Sequence, residues 1–173
     1  ADIPAVSVAD VREGEALRLV FVGQLEPHKG VDVLLRAVAL LAHKGVAVSL
    51  SVLGTGSLLV ALQEQALTLP ALAHVAFCGH VSREEVFAQI GGAHAVVVPS
   101  VAVENCPGIV LEAGAVGVPI VTSASGGMKE LVAPEGQVDA GDAAALAQVV
   151  FAVHMGEVPE TQLEPVGVGE YVK

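Results

Sequence analysis

Short apolar runs rich in valine and leucine recur along this chain, and a segment of helical period follows each of them. LRLVFVG (17–23), VSLSVLG (48–54), HVAFCG (74–79), AHAVVVPS (93–100) and VPIVTS (118–123) are the clearest. Strands that read as continuous apolar runs, without polar alternation, belong to a parallel sheet covered on both faces. Between them, Lys29 to Lys44 places Val31, Leu34, Leu35, Val38 and Leu41 at helical spacing. A second helix follows the GTGS turn (54–57) and runs to about Leu67. A third is capped by Ser82, with Glu84 and Glu85 in its first turn, where they suit the helix dipole. Further helices are expected over 107–116, 126–132 and from Asp142 to about His154, with a short extended piece near Gly136–Val138. Strand alternating with helix six times predicts an α/β fold: a doubly wound parallel sheet of about six strands.

That sheet also accounts for the composition. Hydrophobic residues make up 53% of 173 residues, and the mean hydropathy is +0.68. No run reaches the roughly 18 apolar residues that a membrane helix needs, because Asp32 and Arg36 interrupt the richest one, 31–42. The length suits one domain with a real core: a lead-in over 1–16, the domain over 17–155 and an irregular tail over 156–173. The first ten residues lack the basic start and compact apolar block of a signal peptide. A net charge of −11 argues against nucleic acid or an anionic membrane as partner, and 3% aromatics leave no stacking platform for single strands. Cys78 and Cys106 form no metal or disulfide pattern and suit a reducing, cytoplasmic setting. The six histidines form no close pair, so no metal site is expected.

In a doubly wound sheet, ligands sit at the carboxyl ends of the strands. The loops to inspect are GQLEPHKG (23–30), GTGS (54–57), GHVS (79–82), SVAVENCPG (100–108) and TSASGG (122–127). In the fourth, Glu104 follows a strand and Glu112 lies on the helix that starts near Pro107. Proline at a first helical position wastes no donor, Gly108 admits close approach, and free N–H groups at a helix start favour a phosphate. Glu112, four residues beyond Gly108, lies on the same face roughly 5–6 Å away, where a carboxylate can bind vicinal hydroxyls. The residues alone leave two readings open: hydroxyl-binding carboxylates, or a solvated loop acid and an exposed helix acid. An ionised Glu112 in the apolar run IVLEAGAVG is costly unless paired. Lys29, beside His28, is the best-placed cation for a diphosphate; Arg83, Lys129 and Lys44 are the other candidates. A cation at a helix start opposes the dipole, which favours a functional reason for it. GTGS is only half a dinucleotide fingerprint, since Leu59 stands where the third glycine belongs. His80 either faces a base or caps a turn, and Gly126 and Gly127 either offer N–H groups to an anion or form a flexible turn.

In order, GQLEPHKGVDVLL, VLGTGSL, FCGHVSREE, VVVPS, ENCPGIVLEAGAVGVPIV, GGMKELV and GDAAALA resemble the C-terminal domain of retaining glycosyltransferases of the GT-B fold, glycosyltransferase family 4 (group 1), from about Leu19 to His154. The spacing of Glu104 and Glu112 is the family's most specific signature. The resemblance implies a Rossmann-like domain that binds a nucleotide sugar, UDP-, GDP- or ADP-linked, as substrate, with no cofactor and no metal. It implies that Glu112 holds ribose hydroxyls and Glu104 the donor sugar. The backbone of Gly108, Ile109 and Val110 would meet the diphosphate together with Lys29, and Gly79, His80 and Val81 would line the base. The family often carries Gly-Arg after the first strand; here the pair is Gly23 and Gln24, one cation fewer. The resemblance further implies hexosyl transfer to a sugar or lipid-linked acceptor. It implies a partner N-terminal domain that carries the acceptor site and any peripheral contact with a membrane. That domain is expected to be missing here, which would leave the chain inactive by itself. The competing expectation is a non-catalytic α/β scaffold that binds a partner; a sugar-nucleotide epimerase of the same fold would be expected to carry more site histidines and acids.

Overall fold

The computed structural model describes residues 14–104, 108–157 and 159. Among these, six parallel strands form one sheet in the order β3-β2-β1-β4-β5-β6. The strands are β1 (Leu17–Val22), β2 (Val48–Leu53), β3 (Ala73–Gly79), β4 (Ala95–Val98), β5 (Ile120–Ser123) and β6 (Gln137–Val138). The helices are α1 (Val31–His43), α2 (Leu59–Leu67), α3 (Arg83–Gly91), α4 (Gly108–Val116), α5 (Met128–Leu131) and α6 (Ala143–His154). Single 3₁₀ turns occupy Pro27–Lys29 and Pro134–Gly136. No helix among the described residues is long and apolar enough to cross a membrane. Pro107, Cys106, the lead-in up to residue 13 and most of the expected tail lie outside the described residues.

Successive residues of β1 feed opposite layers, as strand geometry requires. Leu17, Leu19 and Phe21 pack with α1 and α6, through Leu34, Leu35, Val38, Leu146 and Val150. Val20 packs on the other side with Ile90 of α3, Val110 and Ala113 of α4 and Met128 of α5. Both faces of the central strands are therefore covered, and β4 is buried at all four positions.

The chain runs outward from β1 to β2 and β3, then returns to the other side of β1 for β4. The connection reverses direction between β1 and β4. The loops that leave these two neighbouring strands splay apart there and open a crevice at their carboxyl ends. A register shift between Val52 and Leu53 makes Leu53 pair with Gly79, and the Gly54 N–H donates to the Gly79 carbonyl at 2.8 Å. Irregularities of this kind re-aim the chain at a sheet rim; here the shift sets the departure of the β3–α3 loop.

One expectation changes. Lys29 does not stand at a helix start: it ends the 3₁₀ turn, and Gly30, at φ +69°, separates it from α1. A basic residue at the C-terminal end of a turn suits the local dipole, so the dipole argument for a functional Lys29 falls away.

The sheet's other end holds a buried histidine that spacing does not mark. The Arg18 N–H donates to His94 Nδ1 at 2.9 Å, and the His94 N–H donates to the Arg18 carbonyl at 2.8 Å. Burial first, and then the Arg18 charge, hold the His94 pKa below its ordinary value, against Glu15, which favours the charged ring. The unfolded chain therefore binds the proton more readily than the folded one. Stability should fall as pH drops through about 6.5, the unfolded-state value. Urea midpoints between pH 7.5 and 5.5 should decrease in the wild type and flatten in His94→Gln; equal slopes would contradict this role.

Candidate functional site

The crevice between β1 and β4 is closed by an ion pair. The Lys29 Nζ lies 2.7 Å from Glu104 Oε1, with side chains 22% and 14% exposed. The Ser100 hydroxyl donates to the same carboxylate oxygen at 2.6 Å. Burial alone would raise the Glu104 pKa, but the hydrogen bonds from Lys29 and Ser100 outweigh it and hold the carboxyl below its ordinary value. Backbone contacts bring the two loops together. The Val101 N–H donates to the His28 carbonyl at 2.9 Å. A Cβ on Gly30 would sit 2.1 Å from the Pro99 carbonyl oxygen, so this contact admits only glycine.

The β5–α5 loop fixes Glu104 from the other side. The Gly127 N–H donates to the Glu104 carbonyl at 3.1 Å, and Ser125 Oγ donates to the Ala102 carbonyl at 3.2 Å. Gly126, at φ +54°, comes so near that a Cβ would lie 2.1 Å from the Glu104 carbonyl oxygen. Gly126 and Gly127 thus form a fixed turn, and the Gly127 donor is spent on the loop that carries Glu104.

The GTGS segment is likewise engaged within the protein. A Cβ on Gly54 would lie 1.8 Å from the Gly23 carbonyl oxygen, and one on Gly56 would meet the Leu25 backbone at 2.4 Å. The Leu25 N–H donates to the Thr55 carbonyl, and the Leu58 N–H to the Leu25 carbonyl, both at 2.9 Å. Glu26 completes the clasp: Oε1 accepts the Ser57 N–H at 2.9 Å and Oε2 the Ser57 hydroxyl at 2.6 Å. Those two bonds, the hydroxyl first, hold the Glu26 carboxyl below its ordinary pKa. An internal carboxylate thus takes the Ser57 N–H, just before α2, that a phosphate-binding loop would leave free. The glycines serve loop packing, not a dinucleotide fingerprint.

Beside this clasp lies a cleft of about 370 Å³ lined by Gly23, Gln24, Gly54, Thr55, His80, Val81 and Val86, with Val22 and Leu53 at its base. Gly79 borders the same turn at φ +69°. The volume is within the range of small-molecule sites. The β1–α1 loop therefore does two things: Gly23 and Gln24 line the cleft, and Lys29 crosses to Glu104. Glu112 stands apart from both, on α4, with Arg83 Nη2 3.7 Å from its Oε1. That answers the cost of an acid in an apolar helix, since Glu112 is both paired and 28% exposed. Ile109 and Val110 are buried in the core, so only their backbone N–H groups at the start of α4 can face a ligand. Among the described residues no group of three or more His, Cys, Asp or Glu could hold a metal.

Three participants escape sequence reasoning. Glu26 and Ser57 meet across 31 positions with no motif to link them. Ser100 reads as the end of a strand. Only the loops' convergence gives them roles. The Lys29–Glu104 pair contributes stability fully above the unfolded-state carboxyl pKa of about 4.3, and that contribution is lost as pH falls through the lower folded-state value. In Lys29→Met, NMR titration of the Glu104 carboxyl should show its pKa raised relative to wild type, since burial is then opposed chiefly by Ser100. An unmoved Glu104 titration would exclude the ion pair.

Comparison with known proteins places this geometry. The family model described as "Glycosyl transferases group 1" matches residues 7–154. The chain is 34% identical over 125 residues to a GDP-mannose-dependent alpha-(1-6)-phosphatidylinositol monomannoside mannosyltransferase of Mycolicibacterium smegmatis, covering 69% of this chain and 33% of that protein. It spans about a third of the length of the curated relatives it matches. Among solved structures, the apo form of the lipopolysaccharide outer core galactosyltransferase WaaB superposes with a TM-score of 0.75 at 22% identity, over 91% of this chain and 45% of that one. Anabaena HepE, in complex with UDP-glucose, superposes with a TM-score of 0.69 at 21% identity, over 82% and 40%. The six-stranded parallel sheet has the architecture of GT-B glycosyltransferases, and the chain belongs to the glycosyl transferases group 1 family.

Proposed function

We propose that this chain is the donor-binding half of a glycosyltransferase that takes a hexosyl group from a nucleoside diphosphate sugar. The observation that carries this reading is the β1–α1 loop, which lines the cleft with Gly23 and Gln24 and delivers Lys29 to Glu104 across the crevice between β1 and β4. A base in the cleft would lie along Gly79, His80 and Val81, with the ribose hydroxyls at Glu112. The sugar would lie at Glu104. The diphosphate would reach the Lys29 ammonium and the N–H groups of Gly108, Ile109 and Val110.

In this scheme the bond from the anomeric carbon to the diphosphate breaks, and charge develops on the departing phosphate oxygen. Donors already aimed at that oxygen stabilise the transition state more than the ground state. Lys29 and the start of α4 supply such donors without a metal ion. Glu104 then loses its ammonium partner and keeps the Ser100 hydroxyl, which leaves carboxylate capacity for sugar hydroxyls. Transfer with retention, as in family 4, to a sugar or lipid-linked acceptor held by a second, N-terminal domain completes the reading, with cytoplasmic action and no transfer by these 173 residues alone. A relative acts from GDP-mannose and a structural neighbour binds UDP-glucose, so the choice of base is an experimental question.

Gln24 and the closed Lys29–Glu104 pair favour one competing reading, a scaffold that keeps the fold and has lost its donor. Titrating UDP, GDP and ADP into the ¹⁵N-labelled chain distinguishes the two. The donor-binding reading predicts that one nucleotide shifts the amides of Gly79–Val81, Lys29 and Gly108. It also predicts that Lys29→Met weakens this binding by about tenfold or more, the usual cost of losing a charged hydrogen bond. No response to any of the three leaves the scaffold.

A further inference from the structure

Arg83, like Lys29, is paired with a carboxylate that the donor-binding reading gives to the ligand. It is the first residue of α3, next to the Ser82 cap. A positive charge there opposes the helix dipole, and Glu84 and Glu85, one and two residues on, do not share its face of the helix. The side chain lies over the Phe87 ring, 5.6 Å from its centroid, and reaches across to α4, where Nη2 is 3.7 Å from Glu112 Oε1. Arg83 is more than half exposed, and exposed pairs of this length contribute little to stability. The contact is therefore poorly explained as a fold-holding bridge.

Its position suggests a different use. His80 and Val81, on the loop that leads into α3, and Val86, within its first turn, line the cleft, so Arg83 belongs to the same segment as the cleft wall while its side chain reaches Glu112. Among the described residues Glu112 accepts no side-chain hydrogen bond, and the Arg83 contact, at 3.7 Å, is an ion pair and not a hydrogen bond. Without Arg83 the carboxylate would be free to rotate about its side-chain bonds. With the Phe87 ring under the guanidinium, the positive charge attracts one carboxylate oxygen and leaves the other for a hydroxyl.

We propose that Arg83 is a positioning residue for nucleotide recognition. Its charge beside Oε1 of Glu112 biases that carboxylate toward the ribose and makes the site selective for ribonucleotides over 2′-deoxyribonucleotides. This inference rests on the donor-binding reading above and adds a residue and a specificity to it.

Calorimetric titration of the 173-residue chain with UDP, GDP and ADP, and with the 2′-deoxy form of whichever binds best, tests it in wild type, Arg83→Gln and Arg83→Lys. The wild type should prefer the ribonucleotide. Arg83→Gln should lose most of that preference, weakening ribonucleotide binding about tenfold while the deoxy form changes little. Arg83→Lys should restore part of it. In an Arg83→Gln, Glu112→Gln double variant the loss should not add, because both changes remove one interaction. A ribo-to-deoxy ratio unchanged in Arg83→Gln, or an equal loss for both forms, overturns the assignment while leaving donor binding intact. A wild type that binds none of the nucleotides removes the donor-binding reading, and this one with it. Matching melting curves for Arg83→Gln and wild type would show that the variant is folded.

Discussion

The 2.7 Å contact between Lys29 and Glu104 joins the two loops that the sheet's topology sets apart. Winding outward to β3 and returning to β4 makes the β1 and β4 loops diverge, and a crevice at that point needs no special sequence. What this chain adds is a charge on each lip. Around that pair the neighbouring loops are locked by backbone contacts so close that Gly30, Gly54, Gly56 and Gly126 leave no room for a Cβ. The rigidity of the crevice thus comes from glycine and main-chain hydrogen bonds, and its chemistry from the few side chains those contacts aim. Preorganisation of this kind is what a site for a charged leaving group requires.

Charge is scarce at this edge. A chain with eight basic and nineteen acidic residues has little positive potential to attract a diphosphate, and Gln24 supplies none. Two cations at this edge are paired with carboxylates: Lys29 with Glu104 and Arg83 with Glu112. Each pair joins a cation to one of the two glutamates with the family spacing. In the proposed reading, ligand binding at Glu104 is an exchange of partners, and its cost depends on how well the Lys29 pair is made. The Lys29 pair is short and mostly buried; the Arg83 pair is long and half exposed. They should behave differently, the first as a closed contact that a phosphate must displace, the second as a tether.

Much of this architecture can be read along the chain. Continuous apolar strands announce a sheet covered on both faces, and the alternation gives its winding, because both follow from local periodicity. The loops that matter follow too, since the winding sets the carboxyl edge. Glu104, Glu112, Lys29 and the His80 turn all fall there. What cannot be read is who holds whom. Ser57 and Glu26 are far apart in sequence and meet only because two loops leave adjacent strands. Glycines that suggest phosphate contacts or flexibility prove to be points of backbone contact, a distinction that needs coordinates. Lys29 looks like a helix-start cation until Gly30 is seen to part the 3₁₀ turn from α1. His94 illustrates the same limit at the other end of the sheet, where a lone histidine completes the join between β1 and β4.

The account turns on Lys29 leaving Glu104 when a nucleoside diphosphate arrives. The direct measurement is the NMR titration of the Glu104 carboxyl in the wild-type chain, free and saturated with whichever of UDP, GDP or ADP binds. Burial raises this pKa and the Lys29 hydrogen bond lowers it, so transfer of the ammonium to phosphate should raise the Glu104 pKa on binding. A carboxyl that titrates at the same depressed value with the nucleotide bound would show that the ion pair survives, and that the crevice between β1 and β4 is not where the diphosphate sits.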